Sequence, residues 1–236
     1  MQRPLFRFKQ FAMTDARCGM RIGTDAVLLG AWTAAGKDVR HIADIGAGCG
    51  IIALMLAQRA ADARITAVEC DPGACSDART NIASSPWSHR ISVAECRFEE
   101  YKPAERLDLI VSNPPFFTEQ LHSPDKTRAI ARHAGELSFA ALASRAEELL
   151  TPDGRIAVVL PAGDDDDTIL TAALNRLHPA RHCHVADRTG RPPKRSLWEF
   201  SLEEYACTHS TLVIRDDSGN FSPDYIKLGQ PYHINL

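Results

Sequence analysis

From residue 41 onward, short apolar runs with few polar interruptions alternate with longer segments in which apolar residues recur every three or four positions. The first pattern is typical of strands buried on both faces, and the second of amphipathic helices. The predicted strands span residues 41–47, 64–70, 90–96, 107–112 and 155–161. The predicted helices span residues 50–61, 71–85, 137–150 and 166–178.

Three further β-rich stretches follow the last predicted helix without helices between them, at residues 182–187, 196–202 and 210–215. Strands that alternate with helices predict the α/β fold class, here one doubly wound, mostly parallel sheet. The late strands predict an antiparallel edge hairpin. We expect a single domain over residues 1–236, with residues 1–40 as an N-terminal extension. The acidic run at 164–167 predicts a solvated turn at a helix start.

The composition is that of an ordinary globular protein, with 44% hydrophobic and 24% charged residues among 236. No apolar run is long enough to span a membrane, and the charged N-terminus lacks the apolar core of a secretory signal. Seven cysteines without a CxxC pair favour neither a disulfide framework nor structural zinc. We therefore expect the reducing cytoplasm, no metal, and structural or surface roles for His133, His182 and His184.

Basic residues cluster twice on a chain whose formal net charge is −3. The first cluster lies in the N-terminal arm and the second in the segment "RTGRPPKR", and neither contains an acid. Clusters of this kind are most often solvated loops, but they also fit a phosphate-bearing partner that docks at one rim. The residues concerned are Arg3, Arg7, Lys9, Arg188, Arg191, Lys194 and Arg195.

The segment "DIGAGCG" (44–50) connects the first predicted strand of the sheet to its helix. Gly46 and Gly48 allow a tight turn and the close approach of a ligand. The dinucleotide fingerprint requires a small residue where this chain has Ile51, so the pattern is instead D-x-G-x-G-x-G, headed by Asp44. Glu69, at the end of the next strand, is placed to accept hydrogen bonds from ribose hydroxyls. A capping or surface role is the alternative for this acid.

The predicted strand 107–112 ends in "NPPFF". In an open α/β sheet, ligands bind outside the carboxyl ends of the strands. Pro114 and Pro115 have no backbone N–H, so this turn presents carbonyl acceptors, to which Asn113 adds its side-chain oxygen. Acceptors beside the aromatic Phe116 predict a site for a planar ring that bears an amino group. The alternative is a rigid turn with Phe116 and Phe117 in the core.

These motifs together resemble the class I S-adenosylmethionine-dependent methyltransferases, which have a Rossmann-like fold. The stretches "MRIGTDAVLLGAW" (20–32), "IARHAGELSFAAL" (130–142) and "YIKLGQPYHINL" (225–236), with "NPPFF", resemble more narrowly the bacterial tRNA1(Val) adenine-N6 methyltransferase family. The resemblance implies S-adenosylmethionine as cofactor and N6-methylation of adenine 37 in the anticodon loop of a tRNA. It also implies an anticodon stem-loop held by the basic clusters.

The resemblance implies that the amine-binding, catalytic residues are Asn113, Pro114, Pro115 and Phe116. It implies that residues 1–40 close over the cofactor. The cofactor-binding residues implied are Thr24, Asp44, Gly46, Ala47, Gly48, Gly50, Glu69, Phe98 and Asn113. One departure concerns the cofactor's adenine, for which related enzymes often use an Asp where this chain has Arg97. Phe98 could pack on that ring, and Glu99 or Glu100 could replace the acid.

Other methyltransferases of amines share the NPPF tetrad, including those that act on a protein glutamine amide or on guanine or adenine of rRNA. The glutamine enzymes carry a helical recognition domain upstream, whereas 43 residues precede Asp44 here. DNA adenine methylation usually needs a target-recognition region, and no insertion of that length is present. A non-catalytic RNA-binding protein would have a broken glycine loop or tetrad, and both are intact.

Overall fold

The computed structural model describes residues 5–19, 21–115 and 137–234 of the chain. An N-terminal hairpin of β1 (Phe6–Arg7) and β2 (Ala12–Met13) is separate from a central sheet of eight strands. The central strands are β3 (His41–Ile45), β4 (Arg64–Glu69), β5 (Ile91–Glu95), β6 (Leu107–Ser112), β7 (Leu150–Pro161), β8 (His178–Arg188), β9 (Arg195–Ser201) and β10 (Thr208–Arg215).

The central sheet has the strand order β10-β8-β9-β7-β6-β3-β4-β5. Every neighbouring pair is parallel except the two pairs that involve β9, which runs antiparallel to β7 and to β8. The predicted antiparallel hairpin is therefore β8–β9, and β10 adds one more strand outside it. The carboxyl ends of all strands except β9 lie at one edge, which we call the carboxyl edge.

Helices cover both faces of the sheet, which confirms the doubly wound α/β class. They are α1 (Thr24–Trp32), α2 (Ile51–Arg59), α3 (Pro72–Ala83), α4 (Phe139–Ser144), α5 (Ala146–Leu149), α6 (Asp165–Leu174) and α7 (Pro223–Gly229). One apolar core contains residues of α1, α2 and α3, and the other contains residues of α4, α5 and α6. None of the described helices is long and apolar enough to cross a membrane.

The predicted helix 137–150 is two helices, because Arg145 leaves the helical conformation at φ −107° and ψ 3°. The Arg145 guanidinium donates hydrogen bonds to the carbonyl oxygens of Phe98 (2.5 Å) and Tyr101 (3.0 Å). It therefore joins α4–α5 to the segment after β5. The prediction was wrong at this position because apolar spacing continues through it.

Two boundaries also differ from the prediction near β7 and β8. The "TPDG" segment is an irregular start of β7, with the register shifting between Leu107 and Leu109 of β6. Helix α6 ends at Leu174, four residues before the end of the predicted helix 166–178. Arg176 is in the left-handed conformation (φ 59°), and His178 begins β8. A side chain at Gly154 would approach the carbonyl oxygen of Leu107 to 2.8 Å.

The sequence patterns did not predict α1, α7 or the hairpin β1–β2. Six of the nine residues of α1 are buried, so its sequence has no polar stripe to reveal a helical period. Strands β1 and β2 have two residues each, too few for alternation to show.

Candidate functional site

The turn between β3 and α2 has three glycines in the left-handed region, with φ of 68° at Gly46, 54° at Gly48 and 84° at Gly50. Other residues are strained in that region. A Cβ at Gly46 would also lie 2.6 Å from Leu137 Cδ2, which precedes α4. The D-x-G-x-G-x-G pattern thus forms a tight turn whose backbone is closely packed.

Glu69 ends β4, the strand beside β3, and its carboxylate holds this turn. Glu69 Oε2 accepts a hydrogen bond from Gly48 N at 2.9 Å. Its Oε1 accepts from Cys70 N and Asp71 N, both at 2.8 Å. A carboxylate has about four lone-pair sites, so three N–H donors leave capacity for a hydroxyl donor.

Asp44 lies in β3 beneath the turn and is completely buried. Its Oδ2 accepts from Ala53 N in α2 at 2.9 Å, while Oδ1 has no hydrogen-bond partner among the residues that the structure describes. Burial raises the Asp44 pKa from 3.8 to about 7; the Ala53 N–H opposes the shift and the charge of Glu69 adds to it. A buried acid with a spare acceptor favours a cationic neighbour.

Asn113 directly follows β6, the other neighbour of β3. Ser112 fixes this strand end, since its Oγ donates to the carbonyl oxygen of Ile45 at 2.8 Å, and the two residues are register partners. Asn113 Oδ1 is buried, and no described group donates to it. Pro114 is buried and Pro115 half-buried. Phe116 and Phe117 lie outside the described residues, so the tetrad is seen through its first three members.

The segment after β5 carries the residues proposed for a cofactor adenine. Phe98 is buried in the second core, with the Arg145 guanidinium 5.1 Å from its ring centroid. Glu99 and Glu100 are exposed, and Glu99 lies 3.7 Å from Arg97. These positions do not separate the three candidates, and each stays a prediction.

Two buried polar residues of α3, neither of which was predicted from sequence, hold the N-terminal segment against the glycine turn. Asp77 Oδ2 accepts from the backbone N–H of Arg17 (2.6 Å) and Cys18 (3.1 Å). Asn81 donates to the carbonyl oxygens of Thr14 and Cys49, each at 2.9 Å. Asp77 and Asn81 are four residues apart and face the same way on a helix, which was the available signal.

Thr24 begins α1 and lies near the ends of β8 and β10. It lines a groove of about 370 Å³ with Arg188 at the end of β8, Arg215 at the end of β10, and Phe221. The Arg215 guanidinium stacks 4.1 Å from the Phe221 ring centroid. The predicted contact of Thr24 with a cofactor stays a prediction, while Arg215 adds to the basic residues found from sequence.

Some side chains of the basic clusters are bound to other groups of the protein, and others are not. Lys9 donates to the carbonyl oxygen of Gln230 at 2.6 Å, Lys194 pairs with Asp187, and Arg195 pairs with Asp25 at 2.9 Å. Among the cluster residues that the structure describes, three exposed arginines have no ion-pair partner, and Arg3 lies outside the described residues. The three are Arg7, Arg188 and Arg191.

Three neighbouring strands, β6, β3 and β4, thus place Asn113, the glycine turn and Glu69 side by side at the carboxyl edge. Among the residues that the structure describes, no group donates to the buried oxygens Asp44 Oδ1 and Asn113 Oδ1. Acceptors without donors suit a ligand that carries positive charge, hydroxyls and amino groups. S-adenosylmethionine has an ammonium, a sulfonium, ribose hydroxyls and an adenine amine, so the residues fit it.

The chain matches the family model of the methyltransferase small domain over residues 20–183. It is 43% identical to a tRNA1(Val) (adenine(37)-N6)-methyltransferase of Porphyromonas gingivalis, over 99% of this chain and 96% of that protein. It is 41% identical to the protein of the same name from Aeromonas hydrophila, over 98% of both chains. The protein of that name from Bacteroides thetaiotaomicron is 39% identical over the full length of both.

Solved structures share the fold at low sequence identity. An Agrobacterium tumefaciens protein assigned as an O-methyltransferase superposes with a TM-score of 0.70 and 20% identity, over 90% of this chain and all of that chain. A Listeria monocytogenes protein assigned as a class I S-adenosylmethionine-dependent methyltransferase superposes with a TM-score of 0.56 and 12% identity, over 79% and 62%. These likenesses confirm the Rossmann-like, class I methyltransferase architecture.

Proposed function

This chain belongs to the family of the tRNA1(Val) (adenine(37)-N6)-methyltransferases, and we propose that it methylates N6 of adenine 37 in the anticodon loop of that tRNA. The observation that carries the proposal is Asn113 Oδ1, a buried acceptor at the strand end beside the glycine turn, to which none of the described groups donates. A tRNA substrate places the enzyme in the cytoplasm.

The cofactor proposed is S-adenosylmethionine, which supplies an electrophilic methyl group when bound. Glu69 would accept from its ribose hydroxyls, and the carboxylate of Asp44 would face its positive charge. The backbone of Gly46, Ala47, Gly48 and Gly50 would line its methionine portion. Phe98, Glu99 and Glu100 are the candidates for contact with its adenine, and Thr24 is proposed to lie near its methionine end.

Asn113 and the carbonyl of Pro114 would accept the two hydrogens of the adenine amine. The lone pair of an aromatic amine is delocalised into the ring, so such an amine is a weak nucleophile. Two acceptors favour the tetrahedral nitrogen that can attack a methyl carbon. Phe116 would stack on the base and fix its direction. Positioning and preorganised electrostatics supply the acceleration, and no covalent enzyme intermediate is required.

The base of an anticodon loop is unpaired, so turning it into this site costs less than extracting it from a duplex. The exposed Arg7, Arg188 and Arg191 would hold phosphates of the stem-loop. Residues 1–40 would form an extension that closes over the cofactor. Asp77 accepts hydrogen bonds from the backbone of residues 17 and 18, and Asn81 is hydrogen-bonded to Thr14 and Cys49; these bonds hold residues 14–18 against α3 and the glycine turn and support that closure.

The test is methylation of unmodified tRNA1(Val) transcripts by the purified protein with methyl-labelled S-adenosylmethionine. Nucleoside mass spectrometry would detect labelled N6-methyladenine, and nuclease mapping would place it at position 37. A transcript with guanine at position 37 is the matched control and should stay unlabelled. Labelling of both transcripts would refute position 37, and absence of N6-methyladenine from the adenine transcript would refute the activity.

A further inference from the structure

A cluster of two histidines and one aspartate lies outside the proposed catalytic site. His182 and His184 are two positions apart on β8, so both side chains face the same side of the sheet. Asp165, the first residue of α6, meets them there. One ligand atom of each of the three residues lies within 4.8 Å of the other two. From the sequence, we expected structural or surface roles for the histidines and a solvated turn for the acidic run.

The three ligand atoms lie close enough together to reach a single small cation. Asp165 Oδ2 lies 2.8 Å from His184 Nε2 and 3.7 Å from His182 Nε2. Zinc bonds to nitrogen and oxygen are about 2.0–2.2 Å long, so two ligands of one tetrahedral zinc lie about 3.3 Å apart. The two observed separations fall on either side of that value, and small side-chain shifts would equalise them.

The outer atoms of the cluster are held as in metal sites. His182 Nδ1 lies 3.3 Å from Nδ1 of His209, its register partner on β10, while His182 Nε2 faces the cluster, where it lies 3.2 Å from Ser196 Oγ. Trp198 Nε1 donates to Asp165 Oδ1 at 3.1 Å, while Asp165 Oδ2 faces the cluster and is hydrogen-bonded there to Ser196 Oγ and His184 Nε2. Partners of this kind fix the orientation of metal-binding imidazoles and carboxylates.

We propose that Asp165, His182 and His184 bind one divalent transition-metal ion, with zinc as the best-matched ion. Two imidazoles and one carboxylate suit zinc and its neighbours, whereas magnesium and calcium prefer all-oxygen sites. The His184 side chain is 38% exposed and that of His182 only 6%, so a water molecule can reach the fourth position from one side. The ion would join the start of α6 to the β8–β9 hairpin.

The ion has a structural role at this place. Asp165 follows the end of β7 by four residues, and Ser196 of β9 donates to Asp165 Oδ2 at 3.0 Å. The cluster therefore joins the segment that follows β7 to strands β8 and β9 of the sheet, near the carboxyl edge. Metal binding should raise thermal stability whether or not the chain methylates tRNA.

The experiment uses the full chain freed of any polyhistidine tag, stripped with a chelator and then titrated with zinc. We expect one zinc ion per chain by elemental analysis after desalting, and a higher melting temperature. Cobalt in place of zinc should give the strong visible absorption of a tetrahedral site. The variant His184→Gln keeps an amide donor for Asp165 but removes the ligand. Its zinc affinity should fall by at least about 100-fold, since loss of outer-shell partners alone costs about 10- to 100-fold.

His209 is exposed, so His209→Ala is a second variant that the fold should tolerate, and its zinc affinity should fall by about 10- to 100-fold. The matched control is His89→Ala, which removes an exposed histidine remote from β8 and should bind as the parent does. A parent chain that retains no zinc would overturn the proposal. So would equal zinc affinity in the parent, His184→Gln and His209→Ala.

Discussion

Gly48 donates its backbone N–H to Glu69 Oε2 at 2.9 Å, so the turn that follows β3 is tied to the end of β4. Glu69, which the sequence predicts to bind ribose hydroxyls, therefore also fixes the conformation of the glycine turn. Both roles use the same carboxylate, because hydrogen bonds from the backbone leave lone pairs for a hydroxyl.

The first prediction concerns Glu69→Gln. The amide has one accepting oxygen instead of two, so either Gly48 N or the pair Cys70 N and Asp71 N loses its acceptor. Hydrogen bonds to a charged group contribute about 1.5–3 kcal/mol, so affinity for S-adenosylmethionine should fall about 10- to 100-fold. Isothermal titration calorimetry measures this change.

Glu95→Gln is the matched control, because Glu95 is the register partner of Glu69 on β5. Its carboxylate instead pairs with Arg79 at 2.8 Å on the surface. This variant should bind S-adenosylmethionine like the parent. Equal losses in the two variants would show that Glu69 contributes only general negative charge.

The second prediction concerns Gly46→Ala. The left-handed conformation costs an ordinary residue roughly 1–2 kcal/mol, and the new methyl group would collide with Leu137. The variant should unfold at lower urea concentration and bind the cofactor weakly. Gly36→Ala is the control, since a Cβ at Gly36 meets nothing within 4 Å, and its denaturation midpoint should stay close to that of the parent.

Apolar runs predicted the strands of the sheet, and glycine positions predicted the tight turn between β3 and α2. A strand buried on both faces has an apolar sequence, and a turn with positive φ selects glycine, so both features are visible locally. Helix α1 was missed because it is buried on nearly all sides, and its sequence therefore has no polar face.

Contacts between distant elements could not be predicted in the same way. Arg195 was read as a phosphate-binding residue, yet it pairs with Asp25, which lies 170 positions earlier. The meeting of Asp165 with His184 depends on how α6 packs against β8. No spacing along the chain encodes such pairs, because they follow from the tertiary fold.

The third prediction separates function from stability at Asn113. Its Oδ1 is a buried acceptor that no described group satisfies, so Asn113→Ala removes an unfavourable group from the folded protein. The melting temperature should stay the same or rise, and cofactor affinity should persist. The methyl-transfer rate should fall about 100- to 1,000-fold, the usual cost of losing a preorganised polar group.

Ser112→Ala gives the contrast in stability, because its hydroxyl donates to the carbonyl of Ile45 within the core. That variant should lose about 1 kcal/mol of unfolding free energy by chemical denaturation. A large loss of stability in Asn113→Ala, with rate and cofactor affinity falling in parallel, would assign Asn113 a structural role instead.

The fourth prediction concerns two exposed arginines: Arg188, the last residue of β8, and Arg191, which follows this strand. Replacing Arg188 and Arg191 together with alanine should weaken tRNA binding and lower the salt dependence of binding. Each lost phosphate contact reduces the slope of log affinity against log salt by about 1. Arg64→Ala is the control, since Arg64 is exposed at the opposite edge, where β4 begins, and its slope should not change.

The fifth prediction follows from the burial of Asp44. Its pKa is raised from 3.8 to about 7 in the folded protein, so between those values the folded chain holds a proton that the unfolded chain has lost. The stability that this proton contributes is present at low pH and is lost as the pH rises toward 7. Asp44→Asn should remove this pH dependence from denaturation curves of the cofactor-free protein.

The same proton should be released when a cationic ligand binds, because positive charge favours the carboxylate. Calorimetry of S-adenosylmethionine binding in buffers with different ionisation enthalpies should show release of most of one proton near about pH 6, and little near about pH 8. Affinity should rise across that interval in the parent chain and stay flat in Asp44→Asn. Proton release that persists unchanged in Asp44→Asn would mean that another group titrates with the ligand. Release that is absent from the parent would mean that the bound cation does not face Asp44.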